Sequence, residues 1–303
     1  MKGKITTGPG VAIYGVTVNG RRVDVEHPVR DHVIALEQWA AQQGYVPPAW
    51  PNEDEPPADP FTVALALDCT RVDPAQMYVY RGDPGNGQGP RHPDQLVAMV
   101  DTDGTPFLRW RSEPIDHDVD VWDTKTKSMR TVHAGEYCSA GAQLKAGAPT
   151  TYGALEVELR AAQPSDGTRF ALGWFPTHAW PHSESDIVEC SGDGQDRYRS
   201  GFGTNLHYVD DQGEHQQHQE RTVVDLLGDW HTVRAEWTPG LIVVLLDGVE
   251  VQRFTEDVPG LDDSPKFPFV QTALQDAEDG LARPGTTPGG LDVKALRVYT
   301  FDG

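Results

Sequence analysis

The sequence predicts a mainly β protein, an antiparallel β-sandwich over residues 61–303 that follows a small α+β module. In this region short strand-like runs alternate with clusters of Gly, Pro, Asp and Asn, and no helical pattern separates them. Many short strands without intervening helices are typical of antiparallel sandwiches rather than of parallel sheets. The clearest runs cover residues 61–67, 76–80, 153–159, 168–175 and 241–247.

The N-terminal module, residues 1–46, combines a hairpin with a helix. Two β-branched runs flank Asn19-Gly20, and both of these residues readily adopt the positive φ that a two-residue hairpin turn requires. Apolar residues at helical spacing then predict a helix over 29–43. Residues 47–60 contain six prolines and four acidic residues, which predicts a stiff, solvated linker between the module and the sandwich.

Net charge excludes some classes of partner. The chain has 46 acidic against 25 basic residues, a formal charge of −21, which argues against binding to a nucleic acid backbone and favours a neutral or weakly charged ligand. No apolar run approaches the ~18 residues of a membrane span. No apolar segment follows the basic start, so a secretory signal is not expected. Cys69, Cys138 and Cys190 form no C-x-x-C pair and are expected to be reduced, mostly buried thiols.

Three acidic residues lie close together as E-x-D-x-x-E, namely Glu184, Asp186 and Glu189. On a regular strand Glu184 and Asp186 share a face, whereas Glu189 points the other way. One β-bulge between Asp186 and Glu189 would bring all three carboxylates to one face. Such crowding is costly for a fold, because like charges repel and burial adds a desolvation penalty. A pair of carboxyls about 5–5.5 Å apart suits retaining glycoside hydrolysis, while the alternative is an exposed edge strand with solvated acids.

The flanking motifs resemble glycoside hydrolase family 16, the β-jelly-roll hydrolases that include laminarinases, lichenases, agarases and carrageenases. The acidic run resembles the active-site strand of the family, and the match continues in the family's order over about residues 101–303. Ser183 and Ser185 depart from the usual residues of that strand, which leaves room for altered specificity. The similar segments, in order, are 171–176, Trp180-Pro181, 184–189, 204–207, 229–239, 241–249 and 291–299.

The resemblance implies a concanavalin A-like jelly roll and a role for each matched residue. Glu184 would be the nucleophile, Asp186 the assisting acid and Glu189 the general acid/base. His207 would contact the site near the sugar that is cleaved. Trp174 and Trp180 are candidate aromatic platforms for sugar faces, although packing in the core is the alternative for both.

No cofactor is expected, and the other acidic and histidine-rich runs are weaker signals. Residues 116–120 and 101–104 contain enough aspartates for a structural Ca²⁺, but neither has the spacing of an EF-hand loop and solvated acidic loops are the better interpretation. Residues 214–218 carry His215 and His218, and in the absence of further ligands we expect a surface loop there.

The sequence therefore predicts a retaining endo-glycosidase that cleaves a β-linked cell-surface polysaccharide. Family members usually act outside the cell, so the missing export signal suggests delivery as a bacteriophage virion component, a minor tail protein, or delivery to the cell surface by another route. The N-terminal module would then bind other tail proteins. No nucleic acid partner and no membrane span are expected. The alternative is a non-catalytic glycan-binding or structural tail protein with the same sandwich.

Overall fold

The computed structural model describes residues 12–18 and 21–27 as backbone, and residues 60–84, 86–147, 149–177, 184–190, 198–210, 212–255 and 265–302 in full. The chain divides into two compact units, Met1–Ala58 and Asp59–Gly303. No helix in these described ranges has the length and apolar character to cross a membrane.

The N-terminal unit contains an antiparallel hairpin of β1 (Ala12–Val18) and β2 (Arg21–His27). Val18 pairs with Arg21, so two residues separate the strands, and these two, Asn19 and Gly20, lie outside the described residues. The helix predicted over 29–43 and nearly all of the linker predicted over 47–60 lie outside the described residues.

The regular secondary structure described in the larger unit is almost entirely β-strand, and all five runs singled out in the sequence form strands. One short 3₁₀ helix, Pro93–Gln95, precedes β6. The strands are β3 (Phe61–Ala66), β4 (Met77–Val79), β5 (Gly82–Asp83), β6 (Leu96–Val100), β7 (Pro106–Pro114), β8 (Val119–Asp123), β9 (Ser128–Val132), β10 (Tyr137–Ser139), β11 (Gly141–Leu144), β12 (Gly153–Ala161), β13 (Thr168–Pro176), β14 (Ser185–Cys190), β15 (Phe202–Val209), β16 (His215–Thr222), β17 (His231–Thr238), β18 (Leu241–Leu246), β19 (Val249–Thr255), β20 (Lys266–Leu274) and β21 (Gly289–Phe301).

Two large sheets form the sandwich. The outer sheet has the order β10-β7-β21-β12-β17-β18-β19, with β3 added to β21 and β6 added to β7. The inner sheet has the order β16-β15-β14-β13-β20-β11-β4. Within both sheets neighbouring strands of the described part are antiparallel, and a smaller sheet of β5, β8 and β9 lies beside them. The predicted mainly β, jelly-roll sandwich is confirmed.

The core lies between the two sheets, and alternation along the strands builds it. On β17, Val233, Ala235 and Trp237 are buried, while Arg234 and Glu236 point outward and pair with each other at 2.7 Å. The outer sheet thus has one apolar and one solvated face, as antiparallel sheets allow. The inner sheet differs, because its strand β13 is buried almost throughout. The face of the inner sheet that points away from the core therefore forms the floor of a cleft instead of an open, solvated surface.

The three cysteines are buried thiols. Burial raises the pKa of Cys69 and of Cys138 to about 12, so neither is a thiolate at neutral pH.

Candidate active site

A β-bulge in β14 places the acidic residues. Against β13, Asp186 pairs with Gly173 and Glu189 pairs with Ala171, and the register shifts between these two pairs. Against β15, the register shifts between Asp186 and Glu189 as well. One extra residue in β14 therefore reverses the alternation, so that Asp186 and Glu189 face the same side of the sheet. This is the bulge that the E-x-D-x-x-E spacing predicts.

Two hydrogen bonds from β15 hold the backbone around the bulge. The hydroxyl of Thr204 donates to the carbonyl oxygen of Ile187, at 2.8 Å. The backbone N–H of His207 donates to the carbonyl oxygen of Glu184, at 2.9 Å. The carbonyl oxygens of Ile187 and Glu184 therefore each accept a hydrogen bond although the strand is irregular there. Buried backbone groups need such partners, because an unpaired buried carbonyl is costly.

The three carboxylates lie at the cleft in different surroundings. Glu184 and Asp186 are buried, with 7% and 5% of their surface exposed, whereas Glu189 is partly open to solvent. Burial, and then the charge of Glu189, raise the pKa of Asp186 well above its ordinary value, while Arg169 acts in the opposite direction. Asp186 therefore keeps its proton to higher pH than an ordinary aspartate does, which relieves the repulsion among the three acids.

A chain of hydrogen bonds orients Glu189. The side-chain amide of Asn205 donates to Glu189 Oε2, and Gln217 Nε2 donates in turn to Asn205 Oδ1, at 2.8 Å. Arg169 Nη1 lies 3.9 Å from the other carboxylate oxygen, Glu189 Oε1. Sequence reasoning did not find Asn205, although its position two residues before His207 on one strand face gave a usable signal.

His207 connects Asp186 to a second histidine. Its Nε2 lies 3.2 Å from Asp186 Oδ2, and its Nδ1 lies 2.9 Å from His215 Nε2, with the two rings stacked at 5.1 Å. Burial, followed by the charge of His207, lowers the pKa of His215, which favours the neutral form of the His215 ring. The surface loop expected over 214–218 is wrong: residues 215–218 begin β16, and pairing with β15 brings His215 beside the site.

Glu184, Asp186 and His207 could also hold a cation, since their ligand atoms lie within 4.8 Å of one another. The aspartates considered for Ca²⁺ have other contacts. Asp101 pairs with Arg160 at 3.0 Å, and Asp118 accepts the backbone N–H of Ala134 at 2.9 Å.

The cleft has a volume of about 690 Å³ and extends across the inner sheet over six strand positions, from His207 on β15 to Tyr80, the residue that follows β4. At ~4.8 Å per strand this distance is about 24 Å. Its lining combines the acids with amides, aromatic rings and two arginines. The lining residues are Tyr80, Pro84, Asn86, Gln88, Arg91, Gln143, Arg169, Phe170, Ala171, Phe175, Glu184, Asp186, Glu189, His207, Phe267, Phe269, Gln271 and Ala273.

Trp174 does not provide the sugar platform that we expected. Its ring is 1% exposed and packs in the core against Trp237, with ring centroids 5.8 Å apart. Side chains alternate along β13, so the next residue, Phe175, faces the cleft instead and packs beside Phe267 at 5.7 Å. Trp180, the second predicted platform, lies outside the described residues.

Several solved structures share this fold at low sequence identity. The glycoside hydrolase family 16 protein of the Bacteroides ovatus mixed-linkage glucan PUL, in complex with its G4G4G3G product, has a TM-score of 0.61 at 15% identity, over 78% of this chain and 100% of its own. The laminarinase catalytic domain of Thermotoga maritima has a TM-score of 0.58 at 18% identity, over 79% and 98%. The κ-carrageenase of Pseudoalteromonas carrageenovora has a TM-score of 0.56 at 15% identity, over 84% and 99%. At identities this low, the structural similarity shows a common fold alone.

No curated protein matches the chain. The family model of glycosyl hydrolases family 16 matches residues 109–287, more than half of the chain and a range that includes Glu184 and β14 with Asp186 and Glu189. On this match, and with the jelly-roll fold of its structural neighbours, the chain is a glycoside hydrolase that belongs to family 16.

Proposed function

We propose that the chain is a retaining endo-glycosidase that cleaves a β-linked polysaccharide, in the first place a β-glucan. The observation that carries this proposal is the bulge in β14, which gathers Glu184, Asp186 and Glu189 at the cleft. The G4G4G3G product in the B. ovatus neighbour and the laminarinase neighbour support a glucan as substrate. A cleft about 24 Å across has room for several sugar rings, which supports attack within a chain.

In the first step Glu184 attacks the anomeric carbon while Glu189 donates its proton to the leaving oxygen. A covalent glycosyl ester on Glu184 forms as the glycosidic bond breaks. In the second step Glu189 takes a proton from water, the water oxygen bonds to the anomeric carbon, and the ester bond to Glu184 breaks. Asn205 holds Glu189 in place for both proton transfers. Burial raises the pKa of Asp186, which reduces the negative charge beside the nucleophile.

The test combines the stereochemistry of the product with one substitution. The purified protein is incubated with laminarin or mixed-linkage β-glucan, and proton NMR follows the anomer of the first product. We expect the β-anomer first, and we expect Glu184→Gln to lower kcat by at least about a thousandfold. Glu158→Gln is the matched control, because Glu158 lies on the outer sheet and pairs with Lys294 at 2.7 Å.

An initial α-anomer would contradict the retaining mechanism, and more than about a tenth of the activity left in Glu184→Gln would contradict its role as nucleophile. Binding of glucan without any cleavage would favour the non-catalytic alternative.

We further propose that the unit Met1–Ala58 attaches the enzyme to a larger particle, such as a phage tail. The support is its separation from the hydrolase unit together with its hairpin, because a strand can add to the sheet edge of a partner. Co-sedimentation of full-length and truncated protein with assembled particles tests this idea. Absence of both proteins from the particles would refute it.

A further inference from the structure

Arg91 carries a buried positive charge at the wall of the cleft. Only 7% of the residue is exposed, and it lines the cavity near Tyr80 and Gln88. Its Nη2 donates to the neutral side-chain oxygen of Gln88. Its Nε is buried and has no hydrogen-bond partner, and no carboxylate of the described residues lies within 4.0 Å of the guanidinium.

Burial of this cation is only partly compensated within the described part of the protein. Burial lowers the pKa of Arg91 to about 10, and the nearby Tyr80 and Asp83 only partly oppose that shift. Asp83 is the carboxylate whose charge acts on Arg91, but it accepts a hydrogen bond from Arg130 at 2.8 Å. A buried guanidinium that lacks an anionic partner is destabilising, so its place in a cleft calls for a ligand that supplies the missing charge.

The surroundings fix Arg91 in position. Its backbone exchanges two hydrogen bonds with Gly82, at 2.9 and 3.0 Å. Its guanidinium carbon lies 5.9 Å from the centre of the Tyr80 ring. Gly141 leaves the space for both side chains, because a Cβ there would lie 2.6 Å from Tyr80 Cδ2 and 3.0 Å from Arg91 Cδ. A rigidly held arginine suits the recognition of one group in one orientation.

None of the described carboxylates of the cleft forms an ion pair with Arg91. Arg169 lies toward Glu189, at 3.9 Å. The lining of the cavity also includes neutral amides, namely Asn86, Gln88 and Gln143, and Gln88 is the one that accepts a hydrogen bond from Arg91. Amides donate hydrogen bonds to oxyanions without adding a competing charge.

We propose that Arg91, with Gln88, forms a subsite for an anionic substituent of the polysaccharide, a sulfate ester or a carboxylate. This inference rests on the proposed function in one respect: it assumes that the cleft binds a polysaccharide. The planar guanidinium presents N–H donors that match the oxygens of either group. With a net charge of −21 the protein as a whole repels an acidic polymer, so a locally placed arginine would select where the charged sugar binds. The composition led us to expect a neutral or weakly charged ligand, and this proposal replaces that expectation with an acidic polysaccharide.

The test uses the inactive Glu184→Gln protein, so that binding is measured without cleavage. Three probes come from one batch of laminarin: unmodified, carboxymethylated and sulfated, the last two at equal degree of substitution. Calorimetry at about 150 mM salt, which screens distant charges, gives the affinity for each. The proteins are the Glu184→Gln background and the same background with Arg91→Gln, Arg91→Lys or Arg81→Gln. Arg81 is exposed and bonds the carbonyl oxygen of Asp120 at 3.0 Å, so its loss changes the charge equally away from the cleft.

We expect the background protein to bind at least one charged laminarin about tenfold more tightly than the neutral one. Arg91→Gln should abolish that preference and leave the affinity for neutral laminarin within about threefold. Arg91→Lys should keep part of it, and Arg81→Gln should keep all of it. Preference for the carboxymethylated or for the sulfated form identifies which anion the subsite takes.

A background protein that binds neutral laminarin at least as well as both charged forms, or that binds no form, overturns the proposal. Equal effects of Arg91→Gln and Arg81→Gln overturn it too, because they would reflect overall charge. If Arg91→Gln does not unfold cooperatively, its binding data are set aside. The proposal is then tested by the preference of the background protein for charged laminarin and by the effect of Arg91→Lys on that preference. Cleavage is measured separately on wild-type protein, so an Arg91-dependent preference without any turnover would refute the proposed reaction and leave the subsite.

Discussion

Gly173 on β13 lies directly opposite Asp186 on β14, at the point where the pairing register of the two strands shifts. A Cβ at Gly173 would lie 2.0 Å from the carbonyl oxygen of Ser185 and 2.9 Å from the backbone nitrogen of Ile187. The bulged strand therefore passes over a position that has no room for a side chain. The glycine and the arrangement of the three acids depend on each other.

Gly173→Ala should therefore remove most of the activity. The obstructing atoms belong to the backbone, so the bulge must shift and the carboxylates move with it. We expect kcat/KM to fall by about a hundredfold or more, since small displacements of reacting groups are costly. Gly147→Ala is the control, because Gly147 has open space around its Cα, although its φ of +88° makes some loss of stability expected there as well. Wild-type activity in Gly173→Ala would contradict the argument.

Asp186→Asn should make the protein more stable at neutral pH while it lowers activity. The folded-state pKa of Asp186 is raised, chiefly by burial. The folded state therefore holds its proton more tightly than the unfolded state, and this contribution to stability is present below the ordinary pKa and is lost as pH rises through the raised value. The variant has no carboxylate to ionise, so its Tm should exceed that of wild type by a margin that grows as pH rises from the ordinary aspartate pKa through the raised pKa of Asp186.

Asp118→Asn supplies a control of opposite sign for that experiment. Its pKa is lowered, first by the hydrogen bond from the Ala134 amide. Its contribution to stability is present above the ordinary pKa and is lost as pH falls through the lowered value. Asp118→Asn should lower Tm at neutral pH and leave activity unchanged. If the Tm difference between Asp186→Asn and wild type does not change with pH, then Asp186 has no raised pKa.

Glu189→Ala should slow both chemical steps, and azide should restore turnover of a substrate with a good leaving group. Such a leaving group needs no proton, and azide can attack the glycosyl ester without a general base. We expect a loss of at least about a hundredfold without azide and a β-glycosyl azide as product with it. Asn205→Asp provides a graded comparison, since it replaces the amide that donates to Glu189 by a second acid. No rescue by azide would contradict the acid/base role.

Trp174 and Phe175 should respond in opposite ways to truncation. Trp174→Ala removes a fully buried ring from the core and should lower the free energy of unfolding by about 3–5 kcal/mol. Phe175→Ala removes a ring from the cleft lining and should raise KM by about tenfold with a smaller loss of stability. Urea unfolding and steady-state kinetics on both variants distinguish the two roles. A larger effect of Trp174→Ala on KM than on unfolding would reverse the assignment.

Deletion of residues 1–58 should leave a hydrolase unit that folds. The unit Asp59–Gly303 holds the complete described core between its two sheets and includes β3, which pairs with β21. We expect one cooperative thermal transition and wild-type kcat in the truncated protein. An aggregated product, or one without a cooperative transition, would show that the first unit is needed for folding.

The amino-acid pattern determined much of this protein by itself. Period-two alternation fixes which side of β17 faces the core, and the Asn19-Gly20 pair fixes the hairpin. The E-x-D-x-x-E spacing by itself requires a bulge if the acids are to act together, and the bulge is present. These features are local, because they depend on residues a few positions apart.

Tertiary structure decided what depends on pairing between distant segments. Which of Trp174 and Phe175 faces the cleft depends on which face of β13 the outer sheet covers. The alternation of side chains along the strand fits either choice, so the sequence pattern does not distinguish them. His215 reaches the site because β16 pairs with β15, and Arg91 lines the cleft because a loop far from β14 in sequence packs beside Gly141. Burial also sets the state of Asp186, since its pKa depends on the surrounding protein and not on its neighbours in sequence alone.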